Sequence, residues 1–247
     1  MNEKKTNRLD RALVERKIIL TRSQAESFIR LGLIKVEGKI VRKPGYPVSH
    51  SSRLELTAKE QYVSRAGLKL ASVAEEFGLD FRGKSVLDVG SSTGGFTDFA
   101  LQNGASKVIA VDVGTNQLHH SLRLDQRVEL HEQTDIRDLT RLSQPVDYVV
   151  IDVSFISLRD VLPAVGKLAK QAKIIAMVKP QFEAGRSNLK HKGVIKNEKM
   201  RREILRDFET WVKNYYKVIN KADSQVAGEK GNKERFYFLS NLPEKSG

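Results

Sequence analysis

Apolar positions change period along the chain, and the change divides it. Leu9, Ala12 and Leu13 recur at helical spacing, which predicts a helix over 8–16. Ser23 with Glu26 three residues on forms a capping box for a second helix, with Ala25, Phe28 and Ile29 on one face. Gly32 stands where a left-handed residue ends a helix. Ile34, Val36, Ile40 and Val41 alternate around Glu37-Gly38-Lys39 as a hairpin, and Leu54–Leu56 adds a strand. From residue 84 the pattern becomes short apolar runs alternating with helical stretches. Strands are predicted at 85–89, 107–113, 128–130, 148–153 and 173–178, and helices from 96 and over 158–169. A last helix is predicted at 196–212 and a closing strand at 235–239. Strand-helix alternation of this kind is the mark of a parallel, doubly wound α/β sheet, here preceded by a small α+β unit.

Charge sharpens that division. The 247 residues carry 43 Lys and Arg against 30 Asp and Glu, a net charge of +13. Residues 1–60 hold 14 basic and 7 acidic side chains, residues 61–180 hold 14 of each, and residues 181–247 hold 15 and 9. A neutral centre between basic ends predicts a small-ligand domain flanked by surfaces for a polyanion, ahead of solubility alone. Arg8, Arg11, Arg22, Arg30, Lys35, Lys39 and Arg42, with Arg65 further on, are the candidate contacts to nucleic-acid phosphates. The absence of cysteine excludes disulfides, thiolate zinc sites and a cysteine nucleophile. Five scattered histidines make no metal site. The longest apolar run, Ile174–Val178, is far short of the about 20 residues that span a membrane, so a cytoplasmic protein without membrane insertion is expected.

The glycine-rich turn Gly90-Ser91-Ser92-Thr93-Gly94-Gly95 follows the first strand of the alternation. On a parallel sheet that is where ligands bind. Its spacing departs from G-x-G-x-x-G, which argues against a dinucleotide, although nicotinamide and flavin cofactors remain alternatives. Asp88 before the glycines suits a cationic methionine moiety. Asp112 after the second strand suits ribose hydroxyls, and Asp135 after the third lies where adenine would be. S-adenosyl-L-methionine is therefore the favoured cofactor, with Asp88, Gly90, Ser91, Ser92, Gly94, Gly95, Phe96, Thr97, Asp112 and Asp135 as its candidate binding residues.

Four further charged residues map to one sheet edge. Asp152 follows the fourth strand, Lys179 the fifth, and Glu234 precedes the closing strand, while Lys69 lies on a helical pattern before the first. Two amines and two carboxylates in one cleft suit methylation of a ribose 2′-hydroxyl, a weak nucleophile until its proton is polarised. A partly desolvated lysine beside a second cation is driven toward the range of a general base.

Two resemblances follow from these residues. Arg8-Leu9-Asp10 and Thr21-Arg22-Ser23, with Ala25, Ile29, Gly32 and Gly38, resemble the RNA-binding domain named after ribosomal protein S four, with Glu37 in place of its usual Asn. Val63–Leu70, Leu87–Thr97, Val178–Glu183 and Glu234 resemble the TlyA family, which joins that domain to an FtsJ-like methyltransferase. Tyr62 stands where that family commonly has Trp, and 190–197 is poorer in glycine than is usual. The resemblance implies a Rossmann-like methyltransferase fold and 2′-O-methylation of cytidine in ribosomal RNA, with Lys69, Asp152, Lys179 and Glu234 as catalytic tetrad. It places the RNA-binding domain at 1–58, a linker at 59–64, the methyltransferase domain at 65–243 and a tail at 244–247. A membrane-active hemolysin and an RNA-binding protein with an inactive methyltransferase fold are the alternatives.

Overall fold

A computed structural model describes residues 6–19, 22–30, 32–56, 62–185, 193–226, 228 and 231–242. The first half of the expected linker (residues 59–61), the tail 244–247, residues 190–192 and the Ser23 side chain of the expected capping box lie outside the described residues. The chain divides into two units, Met1–Gln61 with Gln225–Glu229, and Tyr62–Ser224 with Lys230–Gly247.

In the first unit, β1 (Thr6–Arg8) leads into α1 (Leu9–Glu15) and α2 (Arg22–Arg30), then β2 (Ile34–Val36), β3 (Lys39–Ile40), β4 (Pro47–Ser49) and β5 (Leu54–Leu56). Strands β3, β2 and β5 form one antiparallel sheet, and β1 pairs with β4. The faces predicted from helical spacing, Leu9, Ala12 and Leu13 on α1 and Ala25, Phe28 and Ile29 on α2, are buried. Gly32 adopts φ +75° just after α2, and the amides of Gly32 and Leu33 donate back to the carbonyls of Ile29 and Phe28. Glu37 (φ +51°) and Gly38 (φ +76°) form a turn with both central residues left-handed, so Glu37 is held where Asn is ordinarily favoured.

The second unit contains α3 (Arg65–Ala74), β6 (Ser85–Val89), α4 (Gly95–Gln102), β7 (Lys107–Val111), α5 (His120–Arg123), β8 (Val128–His131) and β9 (Tyr148–Ile151). It continues with α6 (Leu158–Leu168), β10 (Lys173–Val178), α7 (Pro180–Glu183), α8 (Glu198–Val212), β11 (Tyr216–Asp223) and β12 (Arg235–Asn241). Seven strands make one sheet in the order β11-β12-β10-β9-β6-β7-β8. β12 runs antiparallel to both neighbours, while the pairs from β10 through β8 are parallel. The runs Tyr148–Ile151 and Ile174–Val178 are buried because helices cover both faces. One core joins the sheet to α6 and α8, and the other joins it to α3 and α4. Two strands end earlier than their apolar runs predict: β7 at Val111 and β9 at Ile151, leaving Asp112 and Asp152 just beyond the ladder. β11, with its half-exposed alternation, is not marked by a strong apolar run.

The chain order reverses between β6 and β9, so a crevice opens at their carboxyl ends.

Candidate active site

The crevice is built first by the turn after β6. Gly90 has φ +81°, and a Cβ there would lie 2.8 Å from the Asp152 carbonyl oxygen, so only glycine lets the turn close on the β9 end. Gly94 has φ +96° at the start of α4, where a Cβ would meet Leu122 Cδ1 at 2.3 Å. Asp88 is fully buried beneath the turn and accepts from Thr97 Oγ1 at 2.6 Å through Oδ2. Burial, only partly opposed by that hydrogen bond and reinforced by the charge of Asp152, pushes Asp88 up to about 7. Asp88 Oδ1 and Ser91 Oγ are buried without a hydrogen-bond partner.

A cavity of about 590 Å³ opens beside the turn, lined in part by Gly90, Ser92, Asp112, Asp135, Ile136 and Asp152. A smaller hollow of about 140 Å³, lined in part by Ser91, Phe96 and Lys179, shares Gly90, Ser92, Asp152 and Ser154 with it. Asp112 braces this wall, accepting from Ser92 N at 2.8 Å and from Gly114 N at 2.7 Å. Asp135 lines the cavity while its carboxylate is paired with Arg137 at 2.6 Å, which holds it below the usual carboxylate range. Gly95 and Thr97 sit behind the cavity: a Cβ on Gly95 would collide with Ser64 Oγ at 2.3 Å, and Thr97 is buried against Asp88.

The four charged residues meet at this edge. Lys179 Nζ is 2.6 Å from Asp152 Oδ1 and donates to Ser154 Oγ at 2.8 Å. Lys69 Nζ is 2.6 Å from Glu234 Oε2. Antiparallel pairing of Val178 with Arg235 sets Glu234 and Lys179 just past the same end of the β10–β12 ladder. Burial pushes the Glu234 carboxyl up, Lys69 opposes it, and Asp152 and Lys179 also act on it, so the two ion pairs form one electrostatic group. Lys69 is carried by α3, whose start is fixed by Val63 N donating to Asp98 Oδ2 at 2.8 Å and by the Tyr62 ring lying 5.5 Å from that of Phe99.

Two residues of this edge lack a signal in the sequence. Ser154 shares Lys179 with Asp152. Phe155 lines the cavity mouth 92% exposed, with φ +66° and its ring 5.2 Å from that of Phe182. A left-handed, exposed aromatic residue is indistinguishable by pattern from an ordinary core position. Trp211, in contrast, packs beside Phe208 and Tyr215.

In the first unit the basic residues separate into two sets. Arg8 and Arg22 both bind the buried Asp10, at 3.0 and 2.8 Å. Burial alone would raise Asp10, yet those hydrogen bonds hold it down at about 2. Arg42 donates to the Arg30 carbonyl at the end of α2. Arg11, Arg30 and Lys39 are exposed and Lys35 is half-buried. Arg65, half-buried, opens α3 in the second unit. Among the described residues no group of His, Cys, Asp and Glu gathers to hold a metal, and no helix is long and apolar enough to cross a membrane.

Residues 62–241 match the FtsJ-like methyltransferase family, and residues 7–54 match the S4 domain. The chain is 37% identical over 245 residues to the 16S/23S rRNA (cytidine-2′-O)-methyltransferase TlyA of Mycobacterium tuberculosis, covering 97% of this chain and 91% of that protein. It is 44% identical over 182 residues to the 23S rRNA (cytidine-2′-O)-methyltransferase TlyA of Campylobacter jejuni, covering 72% and 71%. A solved structure described as a hemolysin from Streptococcus thermophilus is 36% identical with a TM-score of 0.69, covering 97% of this chain and 90% of that one. By sequence and by fold, this chain belongs to the TlyA family, with an S4 domain ahead of an FtsJ-like methyltransferase domain.

Proposed function

We propose that the protein methylates the 2′-hydroxyl of a cytidine in ribosomal RNA, using S-adenosyl-L-methionine. The observation that carries this reading is the convergence of the Lys179–Asp152 and Lys69–Glu234 pairs, each at 2.6 Å, at the edge where the cavity opens. Cytidine and ribosomal RNA enter from the activity of the two TlyA relatives.

The cavity has the chemistry such a cofactor needs. Buried polar atoms are nearly always paired, so the unpartnered Asp88 Oδ1 and Ser91 Oγ fit a polar ligand group, and a buried carboxyl fits an ammonium. Asp88, Gly90, Ser91, Ser92 and Gly94 would hold the amino-acid end, and Asp112, Asp135 and Ile136 the nucleoside end. Phe96 would line the smaller hollow, and Gly95 and Thr97 would shape this wall from behind. Bound there, S-adenosyl-L-methionine supplies a methyl carbon made electrophilic by its sulfonium.

The protein's own part is to place and deprotonate the acceptor. Lys179 Nζ, fixed by Asp152 and Ser154, takes part in removing the proton from O2′. Lys69 and Glu234 complete the charge balance around that nitrogen. Phe155 offers an exposed ring for a nucleobase, the usual means by which an unstacked RNA base is held. Arg11, Arg30, Lys35 and Lys39 contact phosphates, with Arg65 beside the catalytic edge. Arg8, Arg22 and Arg42 act mainly by supporting that surface.

Incubation of the purified protein with labelled S-adenosyl-L-methionine and unmodified ribosomal subunits, followed by mapping, tests the reading. A 2′-O-methylcytidine in 16S or 23S RNA is expected. Label that stays out of RNA, or appears only on a base, would overturn it.

A further inference from the structure

We propose that Glu183 is a positioning residue for methyl transfer. It fixes the loop of residues 152–157, which carries Asp152, Ser154 and Phe155, against the segment that carries Lys179. The inference rests on the function proposed above.

Glu183 ends α7, the short helix that follows Lys179, and its side chain is 1% exposed. Oε1 accepts from Leu158 N at 2.7 Å, and Oε2 accepts from Ser157 Oγ at 2.7 Å. Arg159 Nε lies 3.6 Å from Oε2. These three partners form the junction between the loop and α6. The Leu158 amide is in the first turn of α6, where a donor has no partner within the helix. Ser157 caps the same turn, accepting from Arg159 N at 3.1 Å. Glu183 thus completes from another element a cap that Ser157 begins.

The remaining contacts between the two segments run in the same order along both. Lys179 binds Asp152 and Ser154, Phe182 lies against Phe155, and Glu183 holds Ser157 and Leu158. The 179–183 segment is therefore a template along which the loop is laid. The loop needs one. Phe155 adopts φ +66° while 92% exposed, a conformation that persists only where its surroundings impose it. Burial pushes the Glu183 carboxyl up, opposed by Ser157 and Leu158. A buried acid is costly unless its hydrogen bonds are satisfied. Glu183 does not line either hollow, so its effect on the reaction passes through the loop.

The test uses full-length protein. The kcat and KM for ribosomal subunits, the affinity for S-adenosylhomocysteine and the Tm are measured for wild type, Glu183→Ala and Glu183→Gln. Glu183→Ala is expected to lower kcat about 10- to 100-fold, the scale of an ångström-sized misplacement, with S-adenosylhomocysteine affinity within about twofold. Glu183→Gln, whose amide oxygen still accepts from Leu158 N, should keep kcat within about threefold of wild type. A folded Glu183→Ala protein with wild-type kcat, whatever its Tm, overturns the proposal, as does a Gln variant as slow as the Ala variant. Should Glu183→Ala fail to fold, Ser157→Ala removes the hydrogen bond to Oε2 and is read in the same way, lowered kcat supporting the role and unchanged kcat refuting it. A wild-type protein that methylates no ribosomal RNA refutes the underlying function instead.

Discussion

Lys179 Nζ lies 2.6 Å from Asp152 Oδ1, although each residue stands beyond the end of a different strand. Parallel pairing of Ala176 with Ile151 sets β9 and β10 in register, and both chains then leave the sheet on the same side. The antiparallel return of β12 brings Glu234 to that edge, and α3 lays Lys69 against it. Four charges far apart in the chain become neighbours through strand register.

Replacing Lys179 with Ala should lower kcat by about 10²- to 10⁴-fold, the usual contribution of a positioned proton-transfer group. S-adenosylhomocysteine affinity should stay within about twofold of wild type. Single-turnover methylation of ribosomal subunits with equilibrium binding checks both; a variant that retains wild-type turnover rules Lys179 out of the proton transfer.

Asp88 gives stability a defined pH dependence. Its folded value of about 7 lies well above the ordinary 3.8. Between about pH 4 and 7 the folded protein therefore keeps a proton that the unfolded chain has released. This contribution to stability is full below about pH 4, falls as pH rises toward 7, and levels off above; the whole change is about 4 kcal/mol. Denaturant unfolding of wild type and Asp88→Asn across that range should show the descending part only in wild type. Identical pH profiles would contradict a buried, proton-holding Asp88.

The two sets of basic residues in the first unit should respond differently. Substituting Arg11, Arg30 and Lys39 together with Ala should weaken RNA binding and flatten its salt dependence, by a log-log slope of about 0.7 to 0.9 for each phosphate no longer neutralised. The Tm should barely change. Arg22→Ala should instead lower the Tm by several degrees, because it strips one of the two guanidinium partners from the buried Asp10. Filter binding over a salt series, with thermal unfolding, distinguishes these; an equal effect of both sets on binding and Tm would erase the distinction.

Phe155→Ala should raise KM for RNA or lower kcat by the equivalent of about 1–3 kcal/mol, the scale of one base stacked on an aromatic ring. S-adenosylhomocysteine binding should be retained. Phe155→Trp should recover activity, since the role asks only for a flat face. Wild-type kinetics for the Ala variant would leave the exposed ring without a part in RNA binding.

The apolar spacing of α1, α2 and the inner strands is local information, as are the left-handed position of Gly32 and the glycine turn before α4. Those features follow from single-residue conformational preference and from which faces must leave water. The tetrad residues could be named because Asp152 and Lys179 each follow a recognisable run and Glu234 precedes one, with Lys69 on a helical pattern nearby. The family resemblance groups the four without giving the distances between them.

The chain's alternating strands and helices determined a doubly wound sheet, a basic first unit and a turn fit for a small ligand. Which arginines are spent on Asp10, that Asp112 braces the Ser92 turn, that Ser154 shares Lys179 and that Glu183 closes the α6 cap were decided only in three dimensions. Periodicity records how each segment meets water. Hydrogen bonds between residues distant in sequence depend on register and on the geometry of loop ends, which no local pattern encodes.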